Sequence, residues 1–387
     1  MLYAVPATFE RYLSRFSTLS HHQRELVLQY VTGLIVARSK SALGISKQVV
    51  GSHYKALERL LTEYPLDCSA LNEERLALLQ AHNETRSSKR SVLIIDDVGV
   101  EKEMRDAYTW YDHASGEFRR GFVLVTLSYC DHKTSYPVDM ELYLPKASFP
   151  QSYKSKIDIA IELIERHAKE LSFTNVVFDS WYANRKMHEY LKAKGKRWVA
   201  RVRGNLLAKY RGRYHSLEEL SQEFKARAKR KNGKLIYSRV LYLKSLKDYV
   251  RVVFVYSGQE VSFIASSDPS LTIDAVLRYY EMRWSIEVFH RDAKQHLGLG
   301  GWKVRSLEGA KRHWHLLMLA YSLLRLGAAS EELVKSIFSS AGKSIGRAVR
   351  LYSFIAMAHL IFLIAQKGFG FLVAEFLRAG GVSMGIG

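Results

Sequence analysis

The sequence is poor in cysteine and in acidic residues. Only Cys68 and Cys130 occur among its 387 residues. Two cysteines are too few for a disulfide framework or a cysteine-based zinc site, so a reducing cytoplasm is the expected compartment. The 38 Asp and Glu residues stand against 58 Lys and Arg residues, which gives a formal net charge of +20. Because aromatic residues are interleaved with the basic ones, this excess favours a nucleic-acid partner over a bare membrane surface.

Long hydrophobic runs are also scarce. The N-terminal segment MLYAVPATFERYL has no charged region followed by an apolar run, so no signal peptide is expected. The most apolar window, Leu351 to Ala365, is shorter than the ~18–20 residues that span a bilayer, and it contains His359. It predicts a buried C-terminal helix and a protein without a membrane partner. The length and the hydrophobic content of 48% are typical of a globular protein with two or three domains.

Residues 1 to about 85 show helical periodicity and predict an all-helical region. Around Lys40 to Leu61, a short helix, a turn through Gly51 and a second helix form the pattern of a helix-turn-helix. An ordinary αα-hairpin has the same pattern, and the net charge favours the DNA-binding alternative.

Two buried strands each lead into acidic residues. Within SVLIIDDVGV at 91–100, a buried strand is predicted to end on Asp96 and Asp97. The predicted strand at 173–178 leads into Asp179. Acids delivered by apolar strands indicate a functional site in α/β folds, although such residues also cap turns. Because side chains alternate along a strand, the pattern leaves Asp96 and Asp97 as alternatives.

The order of elements predicts a ribonuclease-H-like core with a mixed α/β sheet. Three strands of antiparallel type are followed by helix, strand, helix and strand. In such a sheet the acids of the first and fourth strands meet at the middle. A basic segment then leads into alternating strands, which predict an insertion. The predicted regions are 1–85 (helical, DNA-binding), 90–203 (first part of the core), 204–268 (β-rich insertion), 269–325 (last part of the core) and 326–387 (C-terminal helices).

The segment from Tyr280 to Lys294 has apolar and charged residues at helical spacing, without Pro or Gly. At about 100° per residue, Tyr280, Arg283, Glu287 and Lys294 fall within an arc of about 60°, opposite an apolar face. A carboxylate beside cations suits phosphodiester chemistry, which needs a bound metal and bound phosphates. Ordinary ion pairs on a solvated helix face are the alternative interpretation.

Asp97, Asp179 and Glu287 share one chemical rationale. Two-metal phosphoryl chemistry needs oxygen ligands around two divalent ions ~3.5–4 Å apart. One ion activates a water or a 3′-hydroxyl, and the other stabilises the leaving oxygen. Mg²⁺ suits a site of this kind, made of a few carboxylates and several waters.

The spacing Tyr-x2-Arg-x3-Glu-x6-Lys resembles the YREK motif of DDE transposases in the insertion-sequence-four superfamily, which includes the transposon-five group. IDDV at 95–98 is similar to the first-Asp motif of this family, in which the second acid is catalytic. VVFDSWYA at 176–183 is similar to its second-Asp motif. The resemblance covers about residues 90 to 325.

This resemblance implies a role for each matched residue. Asp97, Asp179 and Glu287 would be catalytic and would bind two Mg²⁺ or Mn²⁺ ions. The residues implied to contact DNA phosphates are Tyr280, Arg283, Lys294 and, through the similarity of WVAR at 198–201 to a family strand, Arg201.

The resemblance also implies a cut-and-paste DNA transposase. Such an enzyme cleaves at terminal inverted repeats, joins the freed 3′-OH to target DNA and acts as a homodimer on DNA. A cytoplasmic, nucleoid-associated location in a prokaryote is the corresponding expectation. Two alternatives remain: a catalytically silent transposase-derived DNA-binding protein, and a ribonuclease-H-like nuclease without strand transfer.

Overall fold

The structure, a computed structural model, describes residues 1–112, 115–231, 233–330 and 344–380. The chain divides into two units, each assembled from segments that are distant in sequence. Unit 1 comprises Met1–Arg86, Gly99–Phe122 and Val288–Gly387. Unit 2 comprises Ser87–Val98 and Val123–Glu287.

The elements are numbered in chain order. The helices are α1 (Ala7–Leu13), α2 (His21–Val36), α3 (Ala42–Ser46), α4 (Tyr54–Thr62), α5 (Cys68–Ala81), α6 (Lys156–His167), α7 (Arg185–Ala193), α8 (Leu217–Lys225), α9 (Ile273–Glu281), α10 (Trp284–Asp292), a π-helical turn (Ala293–Leu297), α11 (Leu307–Ser330), α12 (Ile345–Lys367) and α13 (Phe369–Gly380). The strands are β1 (Val92–Glu101), β2 (Tyr108–Asp112), β3 (Glu117–Cys130), β4 (Ser135–Tyr143), β5 (Asn175–Phe178), β6 (Arg197–Val202), β7 (Leu207–Tyr210), β8 (Arg213–Ser216), β9 (Lys229–Lys231), β10 (Lys234–Leu243), β11 (Asp248–Ser257) and β12 (Glu260–Ser266).

The core of unit 2 is a mixed sheet with β1 at its centre. On one side of β1 lies β3, which pairs with β4 in antiparallel fashion, and on the other side lie β5 and β6, which continue it in parallel. The first core strand therefore separates the second and third from the fourth and fifth. This is the ribonuclease-H-like order, and the prediction of a mixed α/β fold with this core is confirmed.

The insertion continues the same sheet. Strand β12 pairs antiparallel with β6, and β11 and β10 follow it. Helix α9 then packs on β5, β6 and β12. Val276 of α9 belongs to a buried apolar cluster with Ile94, Val177 and Ile264 from three strands of the sheet. This cluster fixes the position of α9, and of the segment that follows it, relative to the acid-bearing strands.

Unit 1 contains α1 to α5 at its N-terminus, so the helical character predicted for residues 1–85 is observed. Helix α11 is buried on all sides from His313 to Leu324, as expected of a helix that is apolar around its whole circumference. It packs against α2, α4, α5 and α12.

The prediction of a buried C-terminal helix is wrong. Helix α12 runs over 23 residues, and only 22% of its most apolar window is buried. Phe354 and Ile361 are each 62% exposed. Among the described residues, it is the single helix long and apolar enough to cross a membrane, by length and composition only. Core helices of soluble proteins also meet that test, so it is weak support for a membrane.

His313 on α11 is fully buried and held in its neutral form. Its Nε2 donates to the carbonyl of Gly298 at 2.8 Å, so its Nδ1 accepts from the hydroxyl of Tyr30, also at 2.8 Å. Burial lowers the pKa of His313 to about 4. Since its ordinary pKa is near 6.5, the unfolded chain binds more protons than the native state between these values.

We therefore expect the free energy of unfolding to fall by roughly 3 kcal/mol as the pH is lowered from 6.5 to 4, because each pKa unit corresponds to about 1.4 kcal/mol. The contribution is fully present above pH 6.5. Urea unfolding at a series of pH values measures it. His313→Gln is expected to flatten this part of the profile, whereas His21→Gln, on an exposed helix end, keeps it. An unchanged profile in His313→Gln would contradict the assignment.

Candidate active site

Two neighbouring parallel strands stop pairing at their acidic residues. The last paired residues of β1 and β5 are Ile95 and Phe178, so Asp96 and Asp179 come next at the same edge. Strand β5 ends there because the carboxylate of Asp179 accepts the backbone N–H of Trp181 at 2.9 Å and turns the chain. Strand β1 instead continues past its two acids, which differs from the predicted strand end.

Asp96 faces the guanidinium of Arg283. Its Oδ2 accepts from Nη1 of Arg283 at 2.9 Å, and its Oδ1 accepts the backbone N–H of Asp97 at 2.9 Å. Burial raises the pKa of Asp96 to about 7, although Arg283 lowers it, and the charges of Asp97 and Asp179 add to the rise. The ionised form of Asp96 therefore needs a nearby cation to compensate its charge.

Asp97 has different partners. Lys156 donates from Nζ to its Oδ2 at 2.7 Å, and the hydroxyl of Tyr182 donates to its Oδ1 at 3.2 Å. Burial raises the pKa of Tyr182 well above its usual value, so the phenol remains a proton donor. Sequence reasoning missed both partners. Tyr182 lies within the second-Asp motif and was open to identification, whereas nothing in the sequence near Lys156 indicates its contact.

Asp179 completes the group of strand-borne acids. Burial raises its pKa, the backbone N–H groups of Trp181 and Tyr182 lower it, and the charge of Asp97 raises it again. Asp97 and Asp179 are thus close enough for their charges to interact. A cation beside Asp179 would therefore favour its ionised form.

The predicted continuous helix from Tyr280 to Lys294 is wrong. Helix α9 ends before Arg283, which lies in a turn, and α10 begins at the next residue. The hydroxyl and the backbone N–H of Ser285 both donate to the carbonyl of Met282, at 2.9 and 3.1 Å. This carbonyl would otherwise accept from Ile286, which bonds to Arg283 instead. The four motif residues therefore do not share one helix face.

The turn directs Arg283 to two carboxylates. Nη1 donates to Asp96, and Nη2 donates to Oε1 of Glu287. Burial lowers the pKa of Arg283, but its neighbours, with Asp96 first among them, raise it above the usual value. Glu287 is thus linked to Asp96 through one guanidinium.

A cavity of about 520 Å³ lies beside Arg283. Tyr280 forms part of its wall, with its ring centroid 5.9 Å from the guanidinium carbon of Arg283. Burial raises the pKa of Tyr280, and the charges of Arg283 and Arg201 lower it. Four basic residues line this cavity, namely Arg201, Lys231, Lys234 and Arg283.

Lys294, the last residue of the predicted motif, lies in the π-helical turn that follows α10. It belongs to unit 1 and its side chain is exposed. The site in unit 2 therefore contains three of the four motif positions.

A divalent metal fits the chemistry of the site but not its present arrangement. Within the described ranges, no three His, Cys, Asp or Glu side chains lie close enough together to hold a metal ion. Asp97 and Asp179 offer the oxygen ligands that a hard cation prefers. Their negative charges repel each other, and a bound cation would relieve that repulsion. Glu287, however, is paired with Arg283. A three-carboxylate metal site therefore requires the release of Glu287 from this pair.

Two family models match this chain. A family model described as "DDE superfamily endonuclease" matches residues 14–213, more than half of the chain. The chain belongs to this family. A second model, described as "Archaeal putative transposase ISC1217", matches residues 120–330. The predicted membership of the DDE transposases is thereby confirmed at the level of the superfamily. No curated protein sequence matches the chain.

One solved structure with similarity to this DDE-superfamily chain is the "Drosophila P element transposase strand transfer complex". The two chains share 10% sequence identity, with a TM-score of 0.19, over 90% of this chain. The chain spans 66% of the length of that protein, just under two thirds. A TM-score this low carries no argument about either fold or function.

Proposed function

We propose that this DDE-superfamily chain is a DNA transposase of the YREK type. It would cleave DNA at the terminal inverted repeats of its element and join the freed 3′-OH to target DNA. The observation that supports this best is the grouping of Asp97 and Asp179 at one sheet edge, with Glu287 held nearby through Arg283 and Asp96. Strand-borne acids and a helix-borne acid from distant segments are what phosphodiester chemistry with metal ions needs.

In this proposal the three acids share one role, which is to bind the metal ions. Asp97, Asp179 and Glu287 would hold Mg²⁺ or Mn²⁺, two ions in each active site, which supply nucleophile activation and stabilisation of the leaving oxygen. Lys156 and Tyr182 hold Asp97 in a fixed orientation through their hydrogen bonds.

Arg283 would bind a DNA phosphate in this proposal. Its planar guanidinium matches the geometry of both carboxylates and phosphates. A DNA phosphate that takes the place of Asp96 and Glu287 on this fork would release Glu287 towards the other acids. Binding of DNA and assembly of the catalytic acids would then be coupled.

The basic cavity beside Arg283 is the proposed phosphate-binding surface, with Tyr280 and Arg201 as further contacts. Lys294, in unit 1, is retained as a DNA contact because of its place in the motif. The excess of positive charge over the whole chain supports a polyanionic partner. The partners proposed are terminal repeats, target DNA and a second copy of the chain on DNA, in the nucleoid of a prokaryotic cell.

We expect a steep salt dependence of DNA affinity, because each neutralised phosphate releases counterions. Arg201→Gln should reduce the slope of log affinity against log salt by about 1. Arg185→Gln, which removes an exposed ion pair with Glu189 on α7, should leave the slope unchanged. Fluorescence anisotropy between low and moderate salt measures both. If the DNA affinity of the wild-type chain did not change with salt concentration, a surface that binds several DNA phosphates would be ruled out.

The proposal is tested with DNA that flanks the reading frame. A labelled duplex carrying the flanking repeat is incubated with the chain and Mg²⁺, and nicking is followed on denaturing gels. A precut duplex with a free 3′-OH is then offered together with plasmid DNA. Nicking and joining support a transposase, and nicking without joining supports a nuclease. Binding without nicking supports a silent DNA-binding protein.

A further inference from the structure

A second cavity in unit 2, of about 460 Å³, adjoins the acids and has no assigned role. It lies where the end of β4, the start of α6 and the loop after β5 come together. Its volume is within the ~300–1,000 Å³ of typical ligand pockets. The lining residues that matter here are Tyr143, Tyr153, Lys156, Trp181, Arg203 and Leu206.

The walls of this cavity present aromatic rings to the solvent. Trp181 is 52% exposed and Tyr153 is 38% exposed. The backbone N–H of Trp181 donates to Asp179 and fixes the chain at this position. The ring of Trp181 does not take part in that hydrogen bond. Exposed aromatic rings gathered in one concave site indicate a ligand with a flat, apolar surface.

The same cavity is positively charged. The Nζ atom of Lys156 lies 5.5 Å from the ring centroid of Tyr143 and 5.7 Å from that of Trp181. It also donates to Asp97 at 2.7 Å, so the inner wall of the cavity borders a proposed catalytic acid. Arg203 also lines the cavity and is exposed. A cationic ligand is therefore disfavoured, and a ligand that carries a negative group is favoured.

We propose that this cavity binds one unstacked nucleotide of the DNA strand that is cut. The base would lie against Trp181 and Tyr153, and an adjacent phosphate would lie near Lys156 and Arg203. A nucleotide has both the π-face and the anionic group that this wall recognises, whereas a free anion would leave the rings unused. The inference rests on the proposed function and specifies its substrate: a base beside the acids has to leave the duplex stack.

The test uses the full chain in EDTA, so that no cleavage occurs. The probe is a ten-nucleotide thymidine strand with one central 2-aminopurine, whose fluorescence is quenched by stacking. We expect binding of the wild-type chain to quench it. Trp181→Ala should abolish the quenching and weaken binding about 5- to 100-fold, the range for loss of one stacked base. Trp181→Phe should retain most of both effects. Tyr249→Ala, which removes an exposed ring outside this cavity, should have no effect.

An abasic site in place of the 2-aminopurine separates stacking from a general structural effect. It should weaken binding to the wild-type chain, by a factor similar to that of Trp181→Ala, and should cause no further loss in that variant. If Trp181→Ala weakens binding of the abasic strand as much as that of the intact strand, the proposal is overturned. Nicking of flanking DNA with unchanged 2-aminopurine fluorescence also overturns it and leaves the transposase proposal standing. Failure to bind any DNA removes both.

Discussion

Glu287→Gln is expected to reduce DNA nicking by roughly 10³-fold or more while DNA affinity stays within a few-fold of the wild-type value. The amide keeps the shape of the side chain and can still accept from Arg283, so folding and the phosphate-binding cavity should be preserved. It cannot, however, supply the negative charge that a divalent ion requires. Gel assays with Mg²⁺ measure nicking, and anisotropy measures binding.

Glu260→Gln is the matched control for this experiment, since it removes one exposed carboxylate at the start of β12. It should nick DNA at the wild-type rate. Asp97→Asn and Asp179→Asn should show the same loss as Glu287→Gln if the three acids act together. Substantial nicking by Glu287→Gln would remove this residue from the catalytic group.

Arg283→Ala is expected to lower the free energy of unfolding by roughly 3 kcal/mol in the absence of metal. Asp96 and Glu287 would then be left without the cation that pairs with both of them. The side chain of Arg283 is 19% exposed, so solvent cannot fully replace this pairing. Urea unfolding in EDTA measures the change. Arg185→Ala, which breaks an exposed ion pair, should cost less than about 1 kcal/mol.

Two further measurements identify the cause of that loss. Adding Asp96→Asn to Arg283→Ala should restore part of the stability, because one unpaired carboxylate is removed. Mg²⁺ should raise the melting temperature of Arg283→Ala more than that of the wild-type chain, because Glu287 is no longer held. Equal stability of Arg283→Ala and Arg185→Ala would show that the pairing contributes little.

The strands that carry the acids were predictable because their signal is local. Buried apolar runs before Asp96 and before Asp179 identify β1 and β5, and the order of elements identifies the sheet. The bond from Arg283 to Asp96 joins positions 187 residues apart. Periodicity carries no information about such a contact, which depends on the register of β1 against β5 and on the packing of α9.

Three features were missed for identifiable reasons. The break before α10 depends on the side chain of Ser285, which competes for a backbone carbonyl, and a hydrophobic pattern does not record this competition. Lys156 reaches Asp97 across 59 positions, with no motif to mark it. The exposure of α12 was missed because an apolar composition shows what a helix can bury but not whether another element covers it.

The sequence by itself determined the character of this protein: a basic chain, a ribonuclease-H-like order of strands and helices, and acids that directly follow the buried apolar runs of two strands. These properties follow from residue-by-residue patterns of burial and charge. Only the tertiary structure decided that Arg283 holds Asp96 and Glu287 together, that Lys156 and Tyr182 hold Asp97, and that an aromatic, basic cavity lies beside them. Such contacts join distant segments, and their geometry is set by strand register and side-chain packing rather than by any local pattern.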